Sequence, residues 1–584
     1  MRPKQLPMER GNTMQEKREK EFNLLESPWV KVVTPSLEQN EVSLTEAIVH
    51  AHEYGNLSGE MATQDAAVLR VLMAVALTVF YRYDGDGNEE ELLEANDSTA
   101  EDVFERWEDY WTRGRFPEQA VREYLGAYSE RFWLFHPRTP FWQVSGLQYG
   151  TDYDVKCLLG NAKESMNKAT RPHFSMTSGE GITRLGYGEA ARWLIHLNAY
   201  AINVKSDKNA PGTNAPVGTG RLGRLGLVLV NGQNLFQILM LNLCALRNDG
   251  SLWEKPNPIW EQEQRGDQGH ETGMPDNLPE RYTIQSRRIR LMRDADGYIT
   301  KFRAMGGDFF PMEKDYGEPM TLWKEQGIDK KTGEEEPLLP QKHNPAVHVW
   351  REFPALLCKE GDKGKRRTPG VVQWIQLLRD YNREMMKSIP SITFRMVGME
   401  YGDGMSYTYG DCVDDALTMS AELLDDLGRE WVKLITEQIR KCHVVSAEAI
   451  AHFSKKMELL YGSVPSKNSL KDVLVGRYFF SIDSAFREWL MGIEPQQKER
   501  EEKLSEWESI SYRQARKTVE DYVADLGPNL YIHREAETGK GKKQLLSVPK
   551  IMNDYLGELS RIYRKADGDI GEGRTENEQK RGNP

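Results

Sequence analysis

Residues 218–223 read GTGRLG and fit the pattern G-x-G-x-x-G. Glycines at that spacing let a tight turn approach a pyrophosphate, and the helix that follows points its free N–H groups at the anion. The chemistry would be nucleotide binding. The pattern needs a strand before its first glycine and a helix that starts on it. Here Pro211, Gly212 and Pro216 come first, and such closely spaced prolines argue against a buried strand. The next segment, LGLVLVNG, itself reads as a strand. The order is loop then strand, the reverse of the requirement. Two other readings stay open: a plain surface loop, or a loop brought close to a ligand, with Arg221 and Arg224 meeting phosphates.

Other reactive types give no catalytic constellation. His50 and His52 are two apart, which on a helix separates their faces, and His343 and His348 are five apart. Neither pair has carboxylates at metal-ligand spacing, so no metal is expected. The pairs Asp414-Asp415 and Asp425-Asp426 fall in helix-like sequence and read as solvated or first-turn residues. Cys442-His443 closes a helix. No P-loop, H-E-x-x-H or G-x-S-x-G occurs. No catalytic residue and no cofactor is expected.

Cations do gather. Arg221, Arg224, Arg287, Arg288, Arg290, Arg293, Lys301 and Arg303 lie in or beside glycine-rich and strand-like segments. Arg221, Arg224, Arg287 and Arg288 are candidates for phosphate contacts that fix register on a duplex. Lys365, Arg366 and Arg367 read as a solvated loop.

Elements long enough to position such groups are present. The 584 residues are 39% hydrophobic, enough for two or more domains. A net charge of −12 argues against a chain coated in nucleic acid but allows a local basic strip. Five scattered cysteines suggest neither a disulfide framework nor zinc, and a cytoplasmic home is expected. The apolar run at 66–80 is too short to span a bilayer, contains Arg70, and reads as a buried helix. Helical patterns cover about 61–82, 99–113, 117–130 and 188–201. Strand-like runs are LGLVLV, RRIRLMRD, YITKFRAM, PAVHVW and SITFRMVGMEY. After about 413 the spacing turns helical, without strands, and predicts an antiparallel bundle. The fold class is α+β: a disordered extension (1–20), a mixed α/β domain (21–412), a helical bundle of four-helix type (413–565) and a disordered tail (566–584).

Several stretches together resemble a family. NLLESPWVKV, HPRTPFWQV, NAPG followed by GTGRLGRLG and LVNGQNLFQILMLNLCAL, NPIWE, and GRYFFSIDSAFREWL occur in the order found in the CasA family, the large subunits of the type I-E CRISPR complex Cascade. The resemblance spans about 21–565. It implies a non-enzymatic subunit that reads the protospacer-adjacent motif (PAM) of double-stranded target DNA, largely from the minor groove. Such a subunit starts strand separation and helps recruit the helicase-nuclease, while guide RNA held by the backbone and small subunits reads the rest. By the same resemblance, Phe174, Ser175 and Met176 match a DNA-contacting loop. Gly212, Thr213, Asn214 and Ala215 match a glycine loop that has here lost three glycines, and Asn214 can read a base edge. Lys301, with Arg303 second, matches a lysine finger. Gly402, Asp403, Gly404 and Met405 match a wedge at a β-hairpin tip, with Met405 in place of the family's glutamine. No membrane partner is implied. The alternatives are a nucleotide-binding enzyme using residues 218–223, and a purely structural interaction subunit.

Overall fold

The apolar run at 66–80 lies inside a longer helix, α1 (Ala62–Arg82). By length and composition its 21 residues could cross a membrane, further than the run alone suggested, but protein buries 94% of its apolar window. It is apolar around nearly its whole circumference, which is the pattern of a helix packed on all sides. Every residue from Ala66 to Tyr81 is buried. The computed structural model describes residues 20–92, 99–160, 183–201, 204, 207, 209–210, 219–269, 271–310, 317–324, 338–357, 367–401, 409–462, 469–496, 500–537 and 543–568. The extension and tail expected at the termini lie outside these, apart from Lys20 and 566–568.

The chain forms two compact units. The first comprises 1–347, 355–388 and 392–416. Around α1 pack α2 (Ala100–Arg113) and α3 (Glu118–Ala127). Then come β1 (Thr151–Asp154), α4 (Tyr187–Tyr200), β2 (Leu227–Asn231), α5 (Leu235–Leu241) and α6 (Leu278–Thr283). Strands β3 (Arg287–Arg293), β4 (Ile299–Gly306), β5 (Leu322–Lys324), β6 (Leu339–Gln341), β7 (Ser391–Tyr401) and β8 (Tyr409–Ser420) come next. Local sequence explains the ends. Thr99 and Asp102 form a capping box at the start of α2, and Gly114 closes it at φ 70°. Two three-stranded sheets carry the strand-borne candidate residues: β1-β4-β3 and β8-β7-β2.

Two sequence expectations are corrected here. PAVHVW is no strand: Asn344 Oδ1 accepts the Ala346 N–H at 2.9 Å, a side-chain turn that diverts the chain into a 3-10 turn at Val349–Glu352. Asp414 and Asp415 lie on β8, not on a helix. The buried residues Val413, Leu417 and Met419 leave a four-residue spacing that fits either period. Pairing with β7 decides for the strand.

The second unit comprises 348–354, 389–391 and 417 onward. It holds α7 (Arg429–Val444), α8 (Ala451–Tyr461), α9 (Leu470–Met491), α10 (Arg500–Ala524) and α11 (Val548–Gly568). Its core is aromatic: Trp350 stacks on Phe486 at 4.3 Å, and Trp489 on Trp507 at 5.4 Å. Against the all-helical expectation, a hairpin of β9 (His533–Glu537) and β10 (Lys543–Ser547) precedes α11.

Candidate nucleic-acid interface

In the β1-β4-β3 sheet, side chains alternate between two faces. Tyr153, Ile289, Leu291, Phe302 and Ala304 point inward and are buried. The register sets Asp154, Lys301 and Met292 side by side on the other face, with Asp152, Arg303 and Arg290 in the next row. Arg303 clamps Asp152 with two bonds of 2.6 and 3.0 Å, and this lowers the Asp152 carboxyl below its usual range. Arg303 is thus largely neutralised. Lys301 and Arg290 are exposed, and among the described residues neither has a carboxylate partner.

Arg287 and Arg288 are corrected as phosphate contacts. Arg288 is 1% exposed, holds Asp308 at 2.5 Å, and donates to the carbonyls of Gln268 and Gln285. Arg287 is 5% exposed and donates to the carbonyls of Ser286 and Ala201. The first three residues of β3 are covered on both faces, so the pleat offers no way to solvent there.

Arg221 is turned inward as well. It meets Glu318 at 2.8 Å and lies over the Phe310 ring at 4.5 Å. Glu318 is fully buried and also takes two bonds from Arg70, at 2.6 and 3.1 Å. Burial pushes its carboxyl up, but the Arg70 and Arg221 guanidinium groups outweigh that and hold it well below the usual carboxylate range. The two described glycines of the motif serve packing. Gly220 lies against the backbone of Ala199, and a Cβ on Gly223 would meet the Tyr401 ring. The motif leads into one 3-10 turn, Leu222–Arg224, and then β2. The next helix, α5, starts only at its Asn234 cap. Among the described residues no helix N-terminus faces the glycine turn, so the helix a pyrophosphate requires does not follow it. Arg224 alone of the four arginines remains half-exposed without a carboxylate among the described residues.

Strands β7 and β8 are hydrogen-bonded neighbours joined by residues 402–408. Such a link reaches at most about 30 Å, whereas the 11 residues of β7 rise about 36 Å. The chain must therefore fold straight back, and the strands form a hairpin. Arg395 clamps Asp414 across it at 2.6 and 2.9 Å. The tip, with Gly402, Asp403, Gly404 and Met405, lies outside the described residues, as do Phe174, Ser175 and Met176, and Gly212, Thr213, Asn214 and Ala215. Among the described residues no group of three His, Cys, Asp or Glu is placed to hold a metal ion. Glu318, Lys324 and Lys342, which shape the surroundings of the glycine turn, went unread in the sequence, where nothing sets them apart from other charged loop residues.

The fold is α+β, with exposed cations at Lys301 and Arg290 on one face of a sheet and a pair of long neighbouring strands, β7 and β8. The family model for "CRISPR-associated protein Cse1" matches residues 23–518. The chain belongs to that family, the CasA family its motifs resemble. It is 30% identical over 353 residues to a CRISPR-associated protein CasA/Cse1 of Thermus thermophilus, a match spanning 59% of this chain and 61% of that relative. The fold is similar to Cse1 of Thermobifida fusca, with a TM-score of 0.76 and 24% identity over 94% of this chain and 99% of that one. It also resembles a chain of a structure described as a CRISPR RNA-guided surveillance complex, with a TM-score of 0.65 and 16% identity over 92% and 99%.

Proposed function

We propose that this chain is the large subunit of a type I-E Cascade, and that within the assembled complex it reads the PAM of double-stranded target DNA. Lys301 enters the minor groove, the hairpin tip at 402–405 starts strand separation, and the subunit helps recruit the helicase-nuclease. The observation that carries this reading is Lys301: an exposed cation, free of carboxylate partners among the described residues, on the solvent face of a sheet whose neighbouring Arg303 is held by Asp152. A lysine so placed can donate to the acceptors on the minor-groove edges of base pairs. The hairpin supports the second part, because β7 is fixed in its sheet by pairing with β2 and so gives a rigid base for a tip that must push between base steps.

The test is a PAM-library binding assay on the complex assembled with guide RNA and the other Cascade subunits. Lys301→Ala should lower discrimination between preferred and disfavoured PAMs by roughly 5- to 150-fold, the value of one good base contact. Unchanged discrimination removes Lys301 from the reading; binding of every PAM alike by the wild type removes the reading itself.

A further inference from the structure

Strand β7 outruns its partner β2. The pairing starts at Thr393 opposite Asn231 and stops at Val397 opposite Leu227, while β7 continues through Gly398 to Tyr401. Beyond Leu227 the opposite chain is the glycine turn. Continued, the same register sets Gly226 against Gly398 and Gly223 against Tyr401. At that point the opposite chain has left the extended form for the 3-10 turn Leu222–Arg224. On this side, side chains take over from the ladder.

His343 Nε2 donates to the Leu227 carbonyl at 2.8 Å, and its ring fills the space that two glycines leave. A Cβ on Gly226 would meet its Cε1 at 3.1 Å, and one on Gly398 its Cδ2 at 3.3 Å. At the end of the strand, the Tyr401 hydroxyl donates to the Tyr200 carbonyl at 3.0 Å. Tyr200 is the last residue of α4, and the final carbonyls of a helix have no donor within it. Tyr200 is fully buried and stacked on His196 at 5.1 Å, so the acceptor is part of the core. Tyr401 reaches it across Gly223, where a Cβ would fall on the hydroxyl and meet the ring Cζ at 2.9 Å. Gly220 ties the turn to the same helix end, with its N–H donating to the Ala201 carbonyl at 2.8 Å. The first glycine of the pair thus serves α4 and the second serves β7.

We propose that Tyr401 is a positioning residue for strand separation, and that the Gly220–Gly223 turn is its socket. Together they fix the direction in which β7 ends, and with it the aim of the residues that follow. The inference rests on the strand-separating role proposed above for residues 402–405. Tyr401 adjoins Gly402 directly, so freedom at Tyr401 passes straight into the segment that must enter between base steps. The hydroxyl bond removes that freedom by tying the strand to a helix end 201 positions away in the sequence. Without it, only a fraction of molecules hold the strand end in the competent direction, and opening slows by that fraction.

The complex assembled with guide RNA and the other Cascade subunits is mixed with a duplex target that carries a fluorescent adenine analogue in the first pair beside the PAM, and the rate of its unstacking is followed. Tyr401→Phe keeps the ring and removes the hydroxyl; it should slow opening by roughly 2- to 12-fold, the worth of one hydrogen bond. Gly223→Ala pushes on the same hydroxyl and should slow opening within the same range. The double variant should be no slower than the slower single one, because both changes act through one atom. On a target already mismatched beside the PAM, all three should react at the wild-type rate, and their PAM discrimination should be unchanged. Wild-type opening in both single variants would overturn the proposal, as would equal slowing on the mismatched target or multiplying effects in the double variant. Asp403→Gly with Met405→Gly tests the role beneath it. If that change slows opening while Tyr401→Phe and Gly223→Ala do not, the strand-separating role stands and the positioning fails. If it leaves opening unchanged, the role fails and the positioning with it.

Discussion

Removing the negative charge of Glu318 should destabilise the first unit more than any single surface change. Glu318 lies between Arg70 and Arg221, with contacts of 2.6, 3.1 and 2.8 Å, and side-chain exposures of 0, 2 and 9% for Glu318, Arg70 and Arg221. Glu318→Gln keeps the shape and leaves two buried guanidinium groups without a counter-charge. Breaking a buried pair in this way costs about 3–5 kcal/mol. For a unit of about 400 residues, unfolding entropy is roughly 0.8 kcal/mol per degree, so Tm should fall by about 4–6 °C. Differential scanning calorimetry on the full chain reads this, with the second unit's transition unmoved. The pH dependence has a definite sign. The folded carboxyl lies below its unfolded value, so its stabilisation is complete above the unfolded value near 4 and is lost as pH falls toward the folded one. Glu318→Gln should therefore flatten the acid side of the stability curve. A triple change to apolar residues, Arg70→Met with Glu318→Leu and Arg221→Met, should recover much of the loss, because no buried charge is then left unpaired. A Tm shift in Glu318→Gln below 1 °C, or an unaltered acid limb, would refute the reasoning.

Asp65 offers a test of opposite sign. Burial, only partly offset by the Gly59 N–H at 2.7 Å and by Arg395, pushes its carboxyl up to about 6. Its folded value lies above the unfolded one, so stability is full below about pH 4 and declines as pH rises through 6; Asp65→Asn should raise Tm at pH 7.5 and leave it unchanged at pH 4. Gly220→Ala should cost more than Gly223→Ala, about 3 against 1 kcal/mol in denaturant midpoints, because the first presses on the Ala199 backbone and the second on a side chain, Tyr401. Ser511 bridges the Tyr478 and Tyr563 hydroxyls at 2.9 and 2.6 Å. Ser511→Ala should lower the second unit's transition by about 1–3 kcal/mol, with the first unit's transition as internal reference.

Much of this protein can be read from its sequence where local pattern and tertiary demand agree. The continuous apolar run gives α1, whose boundaries fall at 62 and 82, because a helix packed on every side needs no polar face. The Thr99–Asp102 cap and Gly114 mark α2 by local chemistry alone. The strands RRIRLMRD, YITKFRAM and SITFRMVGMEY are found where alternation and β-branched content put them. Local pattern fails where two periods coincide, as at Val413 and Leu417, or where one side-chain hydrogen bond outweighs propensity, as at Asn344.

The sequence by itself also determined the family, through the order of motifs over most of its length, and it rejected the nucleotide fingerprint because the strand comes after the glycines. It did not decide which arginines face water. Arg221, Arg224, Arg287, Arg288 and Arg303 are chemically alike in one dimension. The fates of Arg221, Arg288 and Arg303 depend on Glu318, Asp308 and Asp152, which stand 97, 20 and 151 positions from them. Charge pairing acts through distances of about 3 Å in space and takes no account of separation along the chain. Only the folded structure could therefore distinguish the arginines that hold the protein together from those that face water.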